Sequence, residues 1–467
     1  MISHKFRHVH APSHSVGHWL PRDRSHIQAW LSKQLEQLDK QKRQRGDWRV
    51  TGLDPTLVDL QELVDNNPTL RKLARDMFTQ IPPAYVNDPT GKPQVRDFGT
   101  MLELVNQILQ TGPEWFNRTD PPTAMGLIGF PINAILDWPM GTLAGYTFFL
   151  DVQVNEKWHA ILTRWKDFLQ SEASQACLDE STGWLSADAL QILSAKGDDG
   201  TSDFTFQQLY ICNPDQPYFD FSSWDSFFTR RFRPGVRPVA FPDDQPPDVM
   251  SGSTDPRQVV VNACESIPLQ WVEGVKLRDT FWLKGQPYSL ADMLDNDPRA
   301  AQFVGGAVYQ AFLSALSYHR WHAPVSGTVL DTRIVPGTYY SENLYQGFID
   351  NNPHPDPAAA NNSQPYISAV ATRGIIFIQA DDPDIGLMAI VFIGMAEVSS
   401  CEFTVGKRIT KGQEIGMFHF GGSSHCMLFR PSTKLKFVNP PPWPENANNN
   451  PVNSALALVL KQPEDDN

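Results

Sequence analysis

Apolar residues recur at helical spacing through the first half of the chain. Asp54-Pro55 supplies an N-cap and a proline suited to a first helical turn, and Leu57, Leu60 and Val64 follow before Asn67-Pro68 resets the chain. Leu70, Leu73 and Met77 predict a second helix, Phe98, Leu102, Val105 and Leu109 a third, and Val154, Trp158, Ile161, Trp165 and Phe168 a fourth. The stretch from Gly126 to Leu150 is the most apolar. Pro131, Asp137 and Pro139 interrupt it and no basic flank orients it, so it reads as buried helix and turn, without stable membrane insertion.

After about residue 238 the pattern changes to short β-branched or apolar runs bounded by Gly, Pro and Asp. Gln258 to Asn262, Gly374 to Gln379, Leu387 to Ile393 and Ala455 to Lys461 read as strands. Proline-rich Phe241 to Pro247 reads as a linker, and Asn351 to Gln364 and Asn439 to Asn453 as exposed loops. The expected fold is α+β: a flexible histidine-rich tail over 1–26, a helical domain over 27–218 and a β-rich domain over 219–467.

Composition narrows the partners. Among 467 residues, 39 Lys and Arg against 52 Asp and Glu give a net charge of −13, which opposes binding to nucleic acid or anionic lipid. Cys177, Cys212, Cys264, Cys401 and Cys426 are odd in number and widely spaced with no CxxC pair, and with no signal-peptide core at the start they point to reduced thiols and a cytoplasmic location. His4, His8, His10, His14, His18 and His26 lack regular ligand spacing, so no metal site is expected.

Four local patterns in the second half carry chemistry. Trp224-Asp-Ser-Phe-Phe-Thr-Arg-Arg-Phe-Arg-Pro-Gly-Val-Arg-Pro238 clusters arginines and aromatics; its arginines read chiefly as structural partners of acidic residues. Tyr318-His-Arg-Trp-His-Ala-Pro-Val-Ser-Gly327 sets two histidines beside a turn leading into a strand, and histidine titrates near neutral pH. Glu265 stands among small residues in Asn262-Ala-Cys-Glu-Ser266. Phe418-His-Phe-Gly-Gly-Ser-Ser-His425 places a Gly-Ser bond in a glycine-loosened turn, where a serine hydroxyl could come round to the carbonyl before it; upstream, Lys411-Gly-Gln-Glu-Ile-Gly416 reads as a hairpin turn.

In this order and spacing, from Trp224 to Arg430, these motifs resemble the pyruvoyl-dependent phosphatidylserine decarboxylase family. Asp137-Trp-Pro-Met-Gly141 and the long helical half are similar to its soluble fungal branch, which includes a decarboxylase of L-tryptophan. The resemblance implies a decarboxylase-like catalytic domain that cleaves itself between Gly422 and Ser423, turning Ser423 into a covalent pyruvoyl cofactor and leaving a 423–467 chain as partner. It further implies that His322 activates Ser423, that Glu265, in place of the family's aspartate, orients His322, and that His319 serves decarboxylation. Ser424, Gly421 and His425 are secondary candidates. The implied reaction converts a small amino acid, aromatic such as L-tryptophan, to its amine and carbon dioxide. Alternatives are phosphatidylserine decarboxylation to phosphatidylethanolamine and an inactive binding module.

Overall fold

The computed structural model describes residues 24–47, 52–81, 95–115, 129–198, 202–244, 255–279, 288–343, 363–397, 400–444 and 447–461, together with residue 50 and the short strands 14–15 and 20–21. Most of the histidine-rich tail and the loop 351–362 lie outside the described residues. Helix α1 (Arg24–Arg45) includes His26 and buries it.

The helical half forms where capping and periodicity place it. Asp54 accepts the Thr56 amide at 3.0 Å at the start of α2 (Pro55–Asn66), and Asn67 both ends α2 and caps α3 (Pro68–Thr79) through the Thr69 and Leu70 amides. Next come α4 (Phe98–Ile108), α5 (Pro131–Gly141), α6 (Leu143–Leu150), α7 (Val152–Leu169) and α8 (Ala187–Asp198). Helices α5 and α6 take up the apolar stretch and pack into the protein core, and among the described residues no helix is long and apolar enough to cross a membrane.

Helix α9 (Trp224–Phe228) belongs to the expected β-rich domain, yet Trp224, Phe227 and Phe228 lie in the core of the helices. Among the described residues of the β-rich half, thirteen strands follow: β1 (Val259–Val261), β2 (Ile267–Glu273), β3 (Ala307–Leu313), β4 (Arg320–His322), β5 (Gly327–Val335), β6 (Arg373–Ala380), β7 (Leu387–Met395), β8 (Cys401–Phe403), β9 (Arg408–Ile409), β10 (Glu414–Phe418), β11 (Gly422–Phe429), β12 (Lys434–Phe437) and β13 (Ala455–Leu460). A seven-stranded antiparallel sheet has the order β9-β5-β6-β7-β11-β3-β2, flanked by three-stranded sheets β8-β10-β4 and β12-β13-β1. Separate apolar cores cover the two faces of the large sheet. The expected hairpin at 411–416 is corrected: Gly412 turns the chain at φ +80°, but β9 and β10 on either side belong to different sheets.

Candidate active site

Gly422 and Ser423 open strand β11, which is paired on both sides: Ser423 faces Gly394 of β7 and Leu313 of β3. The turn expected at Gly-Gly-Ser-Ser is therefore corrected to a strand, and the change of direction falls on Gly421, whose φ of +143° suits glycine. Gly422 is needed for close approach. A Cβ there would lie 2.2 Å from the Phe130 ring and 2.8 Å from the Met395 carbonyl oxygen.

Alternation along β11 sends Ser423 and His425 to one face of the sheet and Ser424 and Cys426 to the other. Ser424 is structural: its hydroxyl donates to Gln364 Oε1 at 3.2 Å and accepts from Gln310 Nε2 at 3.3 Å. Ser423 Oγ, in a residue only 1% exposed, has no hydrogen-bond partner among the described residues. Such a hydroxyl costs about 1–3 kcal/mol, so its position is imposed by the strand pairing. Neither ring nitrogen of His425 has a partner among the described residues, and burial pushes its pKa down to about 3, which keeps it neutral beside Tyr309.

The two histidines of the second motif diverge. His319, fully buried, stacks on Phe228 with ring centroids 3.9 Å apart. Burial and then Arg230 hold its pKa well below the usual range, opposed by the backbone of Ser314, which follows the Ser423 partner Leu313. In β4, Trp321 stacks at 3.8 Å on Phe392, the register partner of His425, so Trp321 faces the large sheet and its neighbour His322 faces away. His322 Nδ1 lies 2.8 Å from the Gly412 carbonyl and therefore carries the proton, which leaves Nε2 to accept from the Tyr318 hydroxyl at 3.0 Å. Burial lowers the His322 pKa.

Glu265, expected to orient His322, is held in this structure by other partners. Its carboxylate takes both arms of Arg237, at 2.7 and 3.1 Å, the Asn449 amide at 3.0 Å and the Val452 amide at 2.7 Å. A bidentate guanidinium satisfies a buried carboxylate better than a neutral imidazole can. The other arginines of the first motif are also structural: Arg230 donates to the Leu316 carbonyl at 2.7 Å, Arg231 pairs with Glu414 at 3.1 Å, and Arg233 donates to the Gln207 carbonyl at 2.6 Å. The continuous chain thus brings Gly422, Ser423 and His425 onto one strand, directly after the bend at Gly421, and holds His322 and Glu265 with other partners.

Glu397 was not among the sequence candidates. It lies two residues beyond Met395, the register partner of Gly422, and both Ala396 and Glu397 have left-handed backbones at φ +52° and +37°. Its Oε1 accepts the Ile132 and Asn133 amides at 3.1 and 3.0 Å, capping α5 directly after Phe130, whereas Oε2 has no hydrogen-bond partner among the described residues. Burial pushes its pKa up to about 8. No local motif signals this residue, because the amides that donate to its carboxylate lie more than 260 positions away.

Two family models match, both described as phosphatidylserine decarboxylase, over residues 54–193 and 224–440. The chain belongs to the phosphatidylserine decarboxylase family, and its activity is that of a carboxy-lyase. Among its relatives, decarboxylase iboD of Amanita muscaria is 41% identical over 66% of this chain and 86% of its own length. The L-tryptophan decarboxylase of Psilocybe cubensis is 33% identical over 83% of each chain. Phosphatidylserine decarboxylase proenzyme 3 of Schizosaccharomyces pombe is 30% identical over 49% of this chain and 21% of its own length.

Proposed function

We propose that this chain cleaves its own Gly422–Ser423 bond, converts Ser423 to a pyruvoyl group, and decarboxylates a free amino acid, aromatic such as L-tryptophan, to the amine. The carrying observation is the buried Ser423 hydroxyl, without a hydrogen-bond partner among the described residues, directly after a glycine that only a bare Cα can fit. These features suit a residue whose oxygen is consumed in a backbone rearrangement.

In this reading His322, neutral because burial lowers its pKa, gives up its Gly412 and Tyr318 partners, turns from the side of β4 it occupies in this structure toward Ser423, and takes the Ser423 proton. Ser423 Oγ bonds to the Gly422 carbonyl carbon, the carbon–nitrogen bond breaks, and the freed nitrogen takes a proton. Backbone amides at Gly421 and Gly422 are candidate donors to the oxyanion. Elimination of the ester releases the Gly422 carboxylate, and hydrolysis of the remaining dehydroalanine releases ammonia. Glu265 acts here through Arg237 as an anchor for the wall behind the histidines. The pyruvoyl group supplies the electron sink that decarboxylation requires. His319 is the proposed proton donor to the substrate α-carbon, a role for which it must first take up a proton, since burial and Arg230 hold it neutral in this structure.

The preference for an amino acid over a lipid rests on coverage. The L-tryptophan decarboxylase match spans 83% of this chain, the fission-yeast proenzyme match 49%. Carbon dioxide release from L-tryptophan, L-phenylalanine, L-tyrosine and phosphatidylserine micelles tests it. Turnover of tryptophan is expected, and turnover of phosphatidylserine alone would overturn the substrate assignment.

A further inference from the structure

A histidine between two carboxylates stands just before the Gly422–Ser423 bond. His419 stands three positions before Gly422, at the end of β10. Its Nδ1 lies 2.8 Å from Asp225 Oδ1 on α9, and its Nε2 lies 3.1 Å from Glu402 Oε2 on β8. A neutral imidazole has a single N–H, so both carboxylates are satisfied only when the ring is protonated on both nitrogens. The next residue, Phe420, meets Trp165, Trp224 and Phe228 edge-on at 5.4, 5.7 and 5.3 Å. Phe228 is the ring that stacks on His319.

We infer that Asp225, protonated His419 and Glu402 form a clamp that positions the Phe420-Gly421 bend and so presents the Gly422 carbonyl carbon to Ser423. The inference rests on the self-cleavage reading and makes His419 a positioning residue, acting through the backbone. The groups facing the ring are Asp225 and Glu402, which favour its charge, and Lys166 on α7, which opposes it. Gln170 Nε2 reaches the far Asp225 oxygen at 3.5 Å. Burial works to lower the His419 pKa, but the two carboxylates outweigh it and the net shift is upward. His322, needed in its neutral form, shifts downward. Self-cleavage therefore has an acidic limb set by His322 below the ordinary histidine value of 6.5 and an alkaline limb set by His419 above it.

The test follows release of the 423–467 fragment from full-length chain made by cell-free translation across this pH range. Wild type should show the alkaline limb. H419Q should cleave about tenfold or more slowly near pH 6.5 and lack that limb. E402Q removes a half-exposed carboxylate and should move the limb to lower pH. An H419Q chain with wild-type rate and limb would overturn the clamp; if H419Q does not fold by circular dichroism, an unmoved limb in E402Q overturns it. S423A, run in parallel, separates the failures. Fragment released from S423A sinks the self-cleavage reading, whereas an intact S423A chain with an unmoved E402Q limb sinks the clamp alone.

Discussion

Substituting Gly422→Ala adds one methyl group where the structure leaves no room. The new Cβ would sit 2.2 Å from Phe130 Cζ and 2.8 Å from the Met395 carbonyl oxygen. The ring can swing, but the carbonyl belongs to β7, which is paired with β11 along its length. Overpacking of this kind costs about 1–3 kcal/mol. At roughly 2–4 °C per kcal/mol for a cooperative unit of moderate size, melting should fall by roughly 2–12 °C. The comparison is best made in the Ser423→Ala background, where every chain is uncut, and in the Ser423 background cleavage should slow sharply. Phe130→Ala costs stability of its own because the ring is buried, but it removes the ring contact and leaves the carbonyl contact, so the Gly422→Ala penalty should be smaller in the Phe130→Ala background, a coupling read from a double-mutant cycle. If Gly422→Ala melts with its parent and cleaves at the wild-type rate, the packing account of this bond is wrong.

Arg237→Ala strands a buried carboxylate on Glu265 and should cost about 3–5 kcal/mol in denaturant titration, with Arg237→Lys recovering only part; a loss below about 1 kcal/mol would contradict the anchor role. Glu397, with its folded pKa raised from 4.5 to about 8, contributes stability that is present below the lower value and lost as pH rises to the upper one. Melting of the Ser423→Ala chain should therefore fall over that window at up to about 1.4 kcal/mol per pH unit, and Glu397→Gln should flatten the slope while keeping an acceptor for the α5 amides. His425→Leu removes a buried imidazole with no hydrogen-bond partner among the described residues, so stability should hold or rise by about 1 kcal/mol, with cleavage unchanged; lost cleavage in a folded chain would make His425 an acid or base of the site.

Periodicity and capping were enough to read α2, α3, α4 and α7 from the sequence, because Asp54, Asn67 and the apolar rows act within a few residues of themselves, whereas α1, α8 and α9 were not read. The strands at 259–261, 373–380, 387–395 and 455–460 were legible for the same local reason. Gly-Gly-Ser-Ser reads as a loop because small polar residues carry no strand signal; its strand conformation comes from Leu313 and Gly394, both distant in sequence. The motif order marked Ser423, His319, His322 and Glu265 as candidates, but their orientations depend on tertiary partners. Trp321 claims the sheet-facing side of β4 and turns His322 away, and Arg237 claims Glu265. Glu397 and the His419 clamp escaped notice because their partners lie on other elements.

The most direct test of the central claim is the intact mass of the purified protein, wild type beside Ser423→Ala. The account predicts two wild-type chains, residues 1–422 and 423–467, the smaller lighter by one ammonia than a serine-initiated fragment and resistant to N-terminal sequencing, and one uncut 52.5 kDa chain for the variant. A wild-type protein that stays uncut while releasing carbon dioxide, or a smaller chain that begins with an unmodified serine, would contradict it.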